Sequence, residues 1–208
     1  MKRIFTLPLL ALFFSCQGQQ NSAPKPVAMN ENTQTAIFAG GCFWCTEAVF
    51  LEIDGVTRVL PGYIGGTTVN PTYKQVTGGN TGHAEAIEIV FDASKVTYQE
   101  LLEIFFATHD PTTLNRQGND IGTQYRSEIF YLDESQKESA ENYIGLLNSQ
   151  NTYGKPVVTR VSKAGKFYVA EDYHRNYYAQ NQDEPYCFYV ITPKVEKVRK
   201  VYKEKLKK

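Results

Sequence analysis

The strongest chemical signal in the sequence is a cysteine that follows two glycines and precedes two aromatic residues, in Gly40-Gly41-Cys42-Phe43-Trp44. The glycines let the backbone turn sharply from a strand into a helix and leave room for a substrate. Cys42 is then expected in the first helical turn, where unpaired N–H groups stabilise a thiolate. A thiolate is the nucleophile of redox and covalent chemistry, and the flanking rings suit a small apolar or sulfur-bearing group.

The residues alone leave other interpretations of these cysteines open. Cys42 and Cys45 have the Cys-x-x-Cys spacing of a thiol–disulfide redox pair. They could instead form half of a zinc site, whose remaining ligands would be Cys187 and a histidine. A third interpretation is a buried junction whose cysteines only pack, because free cysteine is often buried and inert.

Composition excludes several classes of protein. The chain has 208 residues, with 22 Lys and Arg against 22 Asp and Glu, and this balance argues against a nucleic-acid partner. Hydrophobic residues make up 42% and charged residues 21%, which is typical of a globular domain rather than a disordered chain. Four cysteines are too few for a disulfide scaffold, so each one needs its own explanation.

The N-terminus has the pattern of an export signal. Residues 1–15 combine two basic residues with an apolar run that is too short to span a bilayer, which predicts a signal peptide. Cys16 follows a small residue directly after this run, as in bacterial lipoproteins, and is a candidate lipidation site. Residues 16–33 are polar and predict a flexible tether, so the catalytic domain is expected over 34–208. The protein would be exported as a monomer, held at a bacterial membrane by its lipid anchor only and facing the periplasm or the exterior. Ordinary secretion, in which Cys16 has no special role, is the alternative.

Hydrophobic patterns predict interleaved strands and helices in the domain, which favours one α/β sandwich. Within the helix over 96–108, Thr97 and Glu100 form a capping box. The polar stretch 109–124 is predicted to be a functional loop. The basic tail is expected to pack its valines on the body and keep its lysines in water. The other predicted elements are strands over 35–39, 56–63, 83–91, 127–132 and 157–161, and helices over 42–53, 135–147, 170–178 and 194–208.

Six motifs follow one another along the chain: GCFW at 41–44, NPTY at 70–73, TGHAE at 81–85, HDP at 109–111, GNDIGTQYRS at 118–127 and FYVAEDYH at 167–174. Together they resemble the A type of peptide methionine sulfoxide reductase, in family order from about residue 36 to 187. The resemblance implies a single-domain, two-layer α/β sandwich with a mixed, largely antiparallel sheet and a coil-rich C-terminal segment. It implies reduction of the S epimer of methionine sulfoxide, free or in proteins, without a metal or other cofactor.

The resemblance also implies roles for individual residues. Cys42 would attack the sulfoxide sulfur, and Glu85 would protonate the departing oxygen. Burial beside aromatic residues would raise the pKa of Glu85 and keep it protonated. The implied substrate contacts are hydrogen bonds from Tyr73 and Tyr125 to the sulfoxide oxygen, Asp120 on the substrate backbone or a water, and Phe43 and Trp44 around the terminal methyl group.

Turnover requires a second thiol. Attack leaves Cys42 as a sulfenic acid, which must condense with a resolving cysteine before a thioredoxin-like reductant restores the thiols. Cys187 lies where many members of the family carry that residue. Cys45 is the alternative, although a bridge between i and i+3 strains a helical turn.

Other features have simpler expected roles. His83 and His174 are predicted to orient loops, and the tyrosines between 168 and 178 are predicted to pack in the core. Thiol–disulfide exchange by Cys42 and Cys45 is the alternative enzymatic function. A lipoprotein that only binds partners is the alternative without catalysis.

Overall fold

A computed structural model describes residues 31–208 of the chain. The predicted signal peptide, Cys16 and nearly all of the predicted tether therefore lie outside the described residues. The strands are β1 (Thr33–Gly40), β2 (Val56–Ile64), β3 (Ala84–Asp92), β4 (Arg116–Gln117), β5 (Asp120–Ile121), β6 (Ser127–Tyr131), β7 (Arg160–Lys163) and β8 (Tyr168–Val169). The helices are α1 (Phe43–Leu51), α2 (Tyr73–Thr77), α3 (Tyr98–Thr108), α4 (Glu134–Ser149), α5 (Tyr177–Gln180) and α6 (Thr192–Val201).

Six strands form the main sheet, in the order β7-β6-β1-β3-β2-β8. Every neighbouring pair is antiparallel except β6 and β7, which are parallel. Helices α1, α3 and α4 pack on this sheet, and α1 contacts the central strands β2 and β3. The structure confirms the predicted two-layer α/β sandwich with a mixed, largely antiparallel sheet.

Aromatic side chains from the sheet and the helices fill the space between the layers. Phe38 of β1 is fully buried, with its ring centroid 4.9 Å from that of Phe105 and 5.9 Å from that of Phe50. Burying such large apolar side chains is the main favourable contribution to folding. This core holds α1 against the central strands, and α1 carries the cysteine motif at its N-terminus.

The predicted start of the helix that follows β3 is confirmed in detail. The backbone N–H of Glu100 donates to Thr97 Oγ1 at 3.2 Å, and the N–H of Thr97 donates to Glu100 Oε2 at 2.8 Å. These reciprocal bonds form a capping box, which satisfies two of the otherwise unpaired donors at a helix start. Local side-chain chemistry therefore determines where α3 begins.

The structure corrects several predicted elements. The strand predicted over 157–161 is β7, which starts at Arg160 and ends at Lys163. The predicted helix over 170–178 is interrupted, because Asn176 adopts a left-handed φ of 50° between a short 3-10 turn and α5. Tyr173 is exposed, whereas Tyr168, Tyr177 and Tyr178 are partly buried and pack against the core clusters, so the prediction that these tyrosines pack in the core holds for three of the four. The polar stretch 109–124 contains a small hairpin of β4 and β5.

The C-terminal segment binds the body more closely than the charge pattern suggests. A π-helical turn at Cys187–Ile191 leads into α6, which ends at Val201 rather than at the chain terminus. Val195 and Val198 are buried as expected, whereas Val201 is exposed. Several basic side chains bind the body: Arg199 Nε donates to Glu52 at 2.8 Å, and Lys205 pairs with Glu100. Among residues 31–208, no helix is long and apolar enough to cross a membrane.

Candidate active site

The cysteine motif lies at the junction of β1 and α1. Cys42 is the N-cap residue of α1, and its carbonyl accepts the backbone N–H of Cys45 at 3.1 Å. Gly41 has a φ of +94°, a conformation that side chains disfavour, and a Cβ there would lie 2.5 Å from the side chain of Gln117. Glycine is therefore required for the turn that presents Cys42 at the helix start.

Three reduced cysteines lie together beneath this turn. Cys42, Cys45 and Cys187 are all buried and belong to one apolar cluster. The cluster includes Ile191 and Val195, so the π-helical turn and α6 cover the sulfur atoms. Among the described residues, no group of His, Cys, Asp and Glu side chains is placed to hold a metal ion.

The two motif thiols do not have equal acidity. Burial raises the pKa of Cys42 well above its usual value, and the neighbouring Cys45 and Glu85 raise it further. A hydrogen bond with Cys42 lowers the pKa of Cys45 to about 7, and the positive charge of Lys194 contributes. The pair thus releases one proton near neutral pH and holds the second, because two buried thiolates repel each other. The expectation that the helix end alone makes Cys42 a thiolate is wrong.

Glu85 reaches the start of α1 from β3. Its side chain is 1% exposed, and its Oε2 accepts the backbone N–H of Phe43 at 3.1 Å. Its Oε1 is buried and has no hydrogen-bond partner among residues 31–208. Burial raises the pKa of Glu85 to about 8, although the Phe43 N–H partly opposes the shift. The carboxyl is therefore protonated at neutral pH and lies next to the residue that follows Cys42.

An aromatic wall lines the site on the side of α1. The ring centroid of Phe43 lies 6.2 Å from that of Trp44 and 6.2 Å from that of Tyr73. Trp44 stacks on Tyr177 at 3.8 Å with an angle of 8° between the planes. Trp44 Nε1 donates to Nδ1 of the buried His174 at 3.0 Å. Burial lowers the pKa of His174 to about 4, so the ring stays neutral and can accept this bond.

Tyr73 and Tyr125 face the same charged groups. Burial raises the pKa of both phenols, and Glu85 raises it further. Both hydroxyls are therefore protonated and able to donate. The backbone N–H of Tyr73 donates to Glu171 Oε1 at 2.9 Å, and Tyr63 donates to Glu171 Oε2 at 2.8 Å. Glu171 thus fixes α2, which begins at Tyr73, against the sheet.

Asp120 lies in β5 and lines the same cavity as Cys42 and Cys45. Its Oδ2 accepts a hydrogen bond from the hydroxyl of Tyr186 at 2.6 Å. A cavity of about 460 Å³ opens here, lined in part by Cys42, Cys45, Asp120, Tyr186, Val190 and Lys194. The hairpin that carries Asp120 and the C-terminal segment therefore enclose the thiols between them.

The comparison with known proteins identifies the family to which this arrangement belongs. A family described as "Peptide methionine sulfoxide reductase" matches residues 34–206. The chain belongs to the peptide methionine sulfoxide reductase family. Membership of this family favours reduction of methionine sulfoxide as the function of the chain, rather than thiol–disulfide exchange or binding without catalysis.

Known proteins share both the sequence and the fold of this reductase. The peptide methionine sulfoxide reductase MsrA of Deinococcus radiodurans is 52% identical over 191 residues, covering 92% of this chain and 91% of that protein. The structure of methionine sulfoxide reductase A of Corynebacterium diphtheriae is 35% identical, with a TM-score of 0.66 over 76% of this chain and 82% of its own. Reduced Mxr1 of Saccharomyces cerevisiae is 33% identical, with a TM-score of 0.69 over 75% and 90%.

The structure brings the predicted site residues of this reductase around one point. Cys42, Phe43 and Trp44 come from the start of α1, Glu85 from β3 and Tyr73 from α2. Asp120 and Tyr125 come from the segment between α3 and β6, and Cys187 comes from the π-helical turn. Sequence reasoning missed Glu171, Tyr177 and Tyr186 and assigned His174 only to loops. The motif at 167–174 was the signal for two of them, since it contains Glu171 and His174.

Proposed function

We propose that this chain reduces the S epimer of methionine sulfoxide, free or in proteins, with Cys42 as nucleophile and a thioredoxin-like protein as final reductant. The observation that carries the proposal is the buried, protonated Glu85 held at 3.1 Å from the N–H of Phe43, beside the nucleophile. Sulfoxide oxygen is a poor leaving group until it is protonated, so the thiol needs an acid at this position.

The chemical step follows from this pairing. The Cys42 thiolate attacks the sulfoxide sulfur while Glu85 gives its proton to the sulfoxide oxygen. The oxygen then passes to the Cys42 sulfur, the bond to the substrate sulfur breaks, and methionine leaves. Methionine sulfoxide is reduced by two electrons to methionine, and Cys42 is oxidised by two electrons to a sulfenic acid.

Substrate orientation is assigned to the residues around the reacting sulfur. The hydroxyls of Tyr73 and Tyr125 donate to the sulfoxide oxygen, and the rings of Phe43 and Trp44 enclose the methyl group. Asp120 accepts a hydrogen bond from the substrate backbone or from a water. Support comes from the ring distances along the wall and from the protonated state of both phenols.

Cys187 is proposed as the resolving cysteine, with Cys45 as the alternative. The thiol condenses with the sulfenic acid, water leaves, and a thioredoxin-like dithiol reduces the resulting disulfide. Cys187 is supported by its place in the apolar cluster that contains all three buried cysteines. It also lies on an irregular π-helical turn, whose hydrogen bonding can change. Cys45 is supported by its hydrogen bond with Cys42 and its pKa of about 7.

Two experiments test this function. Reduction of the S and R epimers of N-acetylated methionine sulfoxide is measured with dithiothreitol, and we expect turnover of the S epimer only. Cys42→Ser should abolish it, and equal use of both epimers or an active Cys42→Ser variant would contradict the proposal. Cys187→Ser should give one turnover and then stall with thioredoxin, while Cys45→Ser should continue. The reverse pattern would transfer the resolving role to Cys45.

The proposal includes export as a monomer with a lipid on Cys16, whose support is the sequence pattern of residues 1–16. Expression of the full chain in a bacterium, followed by fractionation and mass spectrometry, tests this. We expect the chain in the membrane fraction with an acylated N-terminal Cys16, and Cys16→Ser in the soluble exported fraction. Gel filtration of the delipidated protein should give the mass of one chain. A precursor that stays unprocessed in the cytoplasm would contradict export.

A further inference from the structure

The hydroxyl of Tyr186 lies between an acid and the reacting sulfur atoms. It donates to Asp120 Oδ2 at 2.6 Å, and it is 3.8 Å from the sulfur of Cys45. The ring stands edge-on to Trp44, with centroids 6.1 Å apart. Tyr186 also directly precedes Cys187, the first residue of the π-helical turn. One side chain therefore touches the substrate side of the site, the thiol pair and the segment that carries the third cysteine.

The hydroxyl of Tyr186 has a single hydrogen, and the group that receives it affects the protonation of the thiols. A phenol has one O–H to donate, and the short bond to Asp120 uses it. A sulfur atom that contacts the same oxygen must then act as the donor, through its own S–H. Such a contact stabilises the protonated thiol and not the thiolate. In the free protein, Tyr186 therefore gives its O–H to Asp120 and does not donate it to a thiolate of the pair.

We propose that Tyr186 is a further catalytic residue, whose hydroxyl turns from Asp120 to the thiol pair when substrate occupies Asp120. The inference rests on the proposed function, which assigns Asp120 to the substrate. When the substrate binds Oδ2 of Asp120, the carboxylate oxygen that Tyr186 contacts, it competes with the phenol for that acceptor and displaces the O–H of Tyr186. The sulfur pair is an acceptor within reach, since Cys45 Sγ lies 3.8 Å from this hydroxyl and Tyr186 also contacts Cys42, and an O–H donated there stabilises a thiolate.

This arrangement links activation of the thiol to the presence of substrate. Thiolates are oxidised far more readily than thiols, so a nucleophile that stays protonated in the empty site is less exposed to unproductive oxidation. The same movement frees Tyr186 from the hairpin of β4 and β5. The adjacent Cys187 then loses one of the contacts that hold its segment in place.

Other charged groups face the thiols, and their charges must be the same in the two proteins that each test compares. They come from different elements and act on the pair in opposite directions. They are Glu85 on β3, Asp120 on β5 and Lys194 on α6, together with the neighbouring thiols themselves. A Tyr186→Phe variant changes none of these charges and retains the aromatic ring, so it removes only the hydroxyl.

The first experiment compares the free and the substrate-bound enzyme. The pH dependence of Cys42 alkylation by iodoacetamide reports the free thiol. The pH dependence of the single-turnover rate with saturating N-acetylmethionine (S)-sulfoxide amide reports the complex. In the unmodified protein we expect a lower apparent thiol pKa in the complex. In Tyr186→Phe this difference disappears, and single turnover at pH 7 slows about tenfold, the size of one hydrogen bond to a charged group.

Tyr178→Phe is the matched control, because its hydroxyl contacts Thr192 Oγ1 at 3.0 Å instead of the thiols. It should retain both the difference in pKa and the rate. A Tyr186→Phe variant that melts like this control and still shows the full difference would overturn the proposal. Loss of turnover in the unmodified protein would instead refute the proposed function.

A second comparison needs only the free protein. Asp120→Asn removes the charge but keeps an acceptor for Tyr186, whereas Asp120→Ala removes both. We expect faster alkylation of the thiols at pH 7 in Asp120→Ala than in Asp120→Asn, because only the alanine variant releases the hydroxyl. The two should become equal when combined with Tyr186→Phe. Equal rates with Tyr186 present would overturn the proposal even if turnover is normal.

Discussion

The side chain of Glu47 accepts a hydrogen bond from the backbone N–H of Asn176 at 2.8 Å. Glu47 is 2% exposed and lies on α1, three residues after Trp44. Asn176 has the left-handed conformation that starts α5, and the next residue, Tyr177, stacks on Trp44. One helix therefore carries the nucleophile and also fixes the segment that covers the aromatic wall.

Removing this acceptor should loosen the wall. We expect Glu47→Leu to raise KM for the sulfoxide several-fold and to destabilise the fold by about 1–3 kcal/mol, because a backbone donor loses its buried partner. Glu47→Gln retains an oxygen acceptor and should recover most of both. Trp44 is the one tryptophan of the chain, so its fluorescence reports the stacking directly. Unchanged emission in Glu47→Leu would contradict this role.

The rate of the chemical step should fall as pH rises through about 8. Burial raises the pKa of Glu85 to about that value, and only the protonated carboxyl can act as an acid. Single-turnover rates measured across the pH range report this fall in rate. Glu85→Gln should slow the chemical step by roughly 10²–10⁴-fold and abolish the decrease of its rate with pH. A variant that retains the unmodified rate and pH profile would remove Glu85 as the acid.

The same carboxyl should make stability depend on pH. Its pKa is about 8 in the folded protein against 4.5 for an ordinary glutamate, so the folded state holds a proton that the unfolded state releases. The contribution is fully present below pH 4.5 and is lost as pH rises through about 8. Urea denaturation at pH 5 and 8.5 should therefore show the unmodified protein losing stability relative to Glu85→Gln. Parallel profiles would exclude the shifted pKa.

Replacing only one partner of a buried ion pair should reduce the stability of the fold strongly. Arg126 Nε lies 2.5 Å from Glu128 Oε2, and Ser162 Oγ donates to the other carboxylate oxygen at 2.6 Å, which ties β6 to β7. We expect Arg126→Met to reduce the free energy of unfolding by about 3–5 kcal/mol, since an uncompensated charge stays buried. The double variant with Glu128→Leu should recover much of this loss in denaturant titrations. A single variant as stable as the parent would contradict the estimate.

Features that depend on local chemistry could be predicted from the sequence. The capping box of Thr97 and Glu100 and the alternating strand before it require only neighbouring residues, and both are present. The positions of Cys42 and Glu85 followed from motifs. The acidity of Cys42 could not be predicted from motifs, because it depends on burial under α6 and on contact with Cys45, which no local pattern encodes.

Features that depend on a single unusual backbone conformation were missed. Asn176 divides what the pattern of apolar residues suggests is one helix, because its positive φ is stabilised by tertiary contacts, among them the one with Glu47. The role of Tyr186 could not be predicted from the sequence either, since its partner Asp120 is 66 residues away and lies on a two-residue strand. Pairings over such separations arise from the fold and leave no mark in the spacing of residues.

The main sheet ends in very short strands on both sides. β8 has two residues and β7 has four, so these outermost strands offer only short stretches of unpaired backbone. β8 pairs with only Gly62 and Tyr63 of β2, and the rest of the outer edge of β2 carries a β-bulge, the charged Arg58 and Pro61, which has no N–H to donate. Exposed strand edges recruit extended segments of other chains into intermolecular sheets. Oxidised polypeptides often expose such segments, so a repair enzyme with long edges would risk co-aggregating with its own clients. The short outer strands allow this reductase to handle damaged chains with little opportunity to become a template for them.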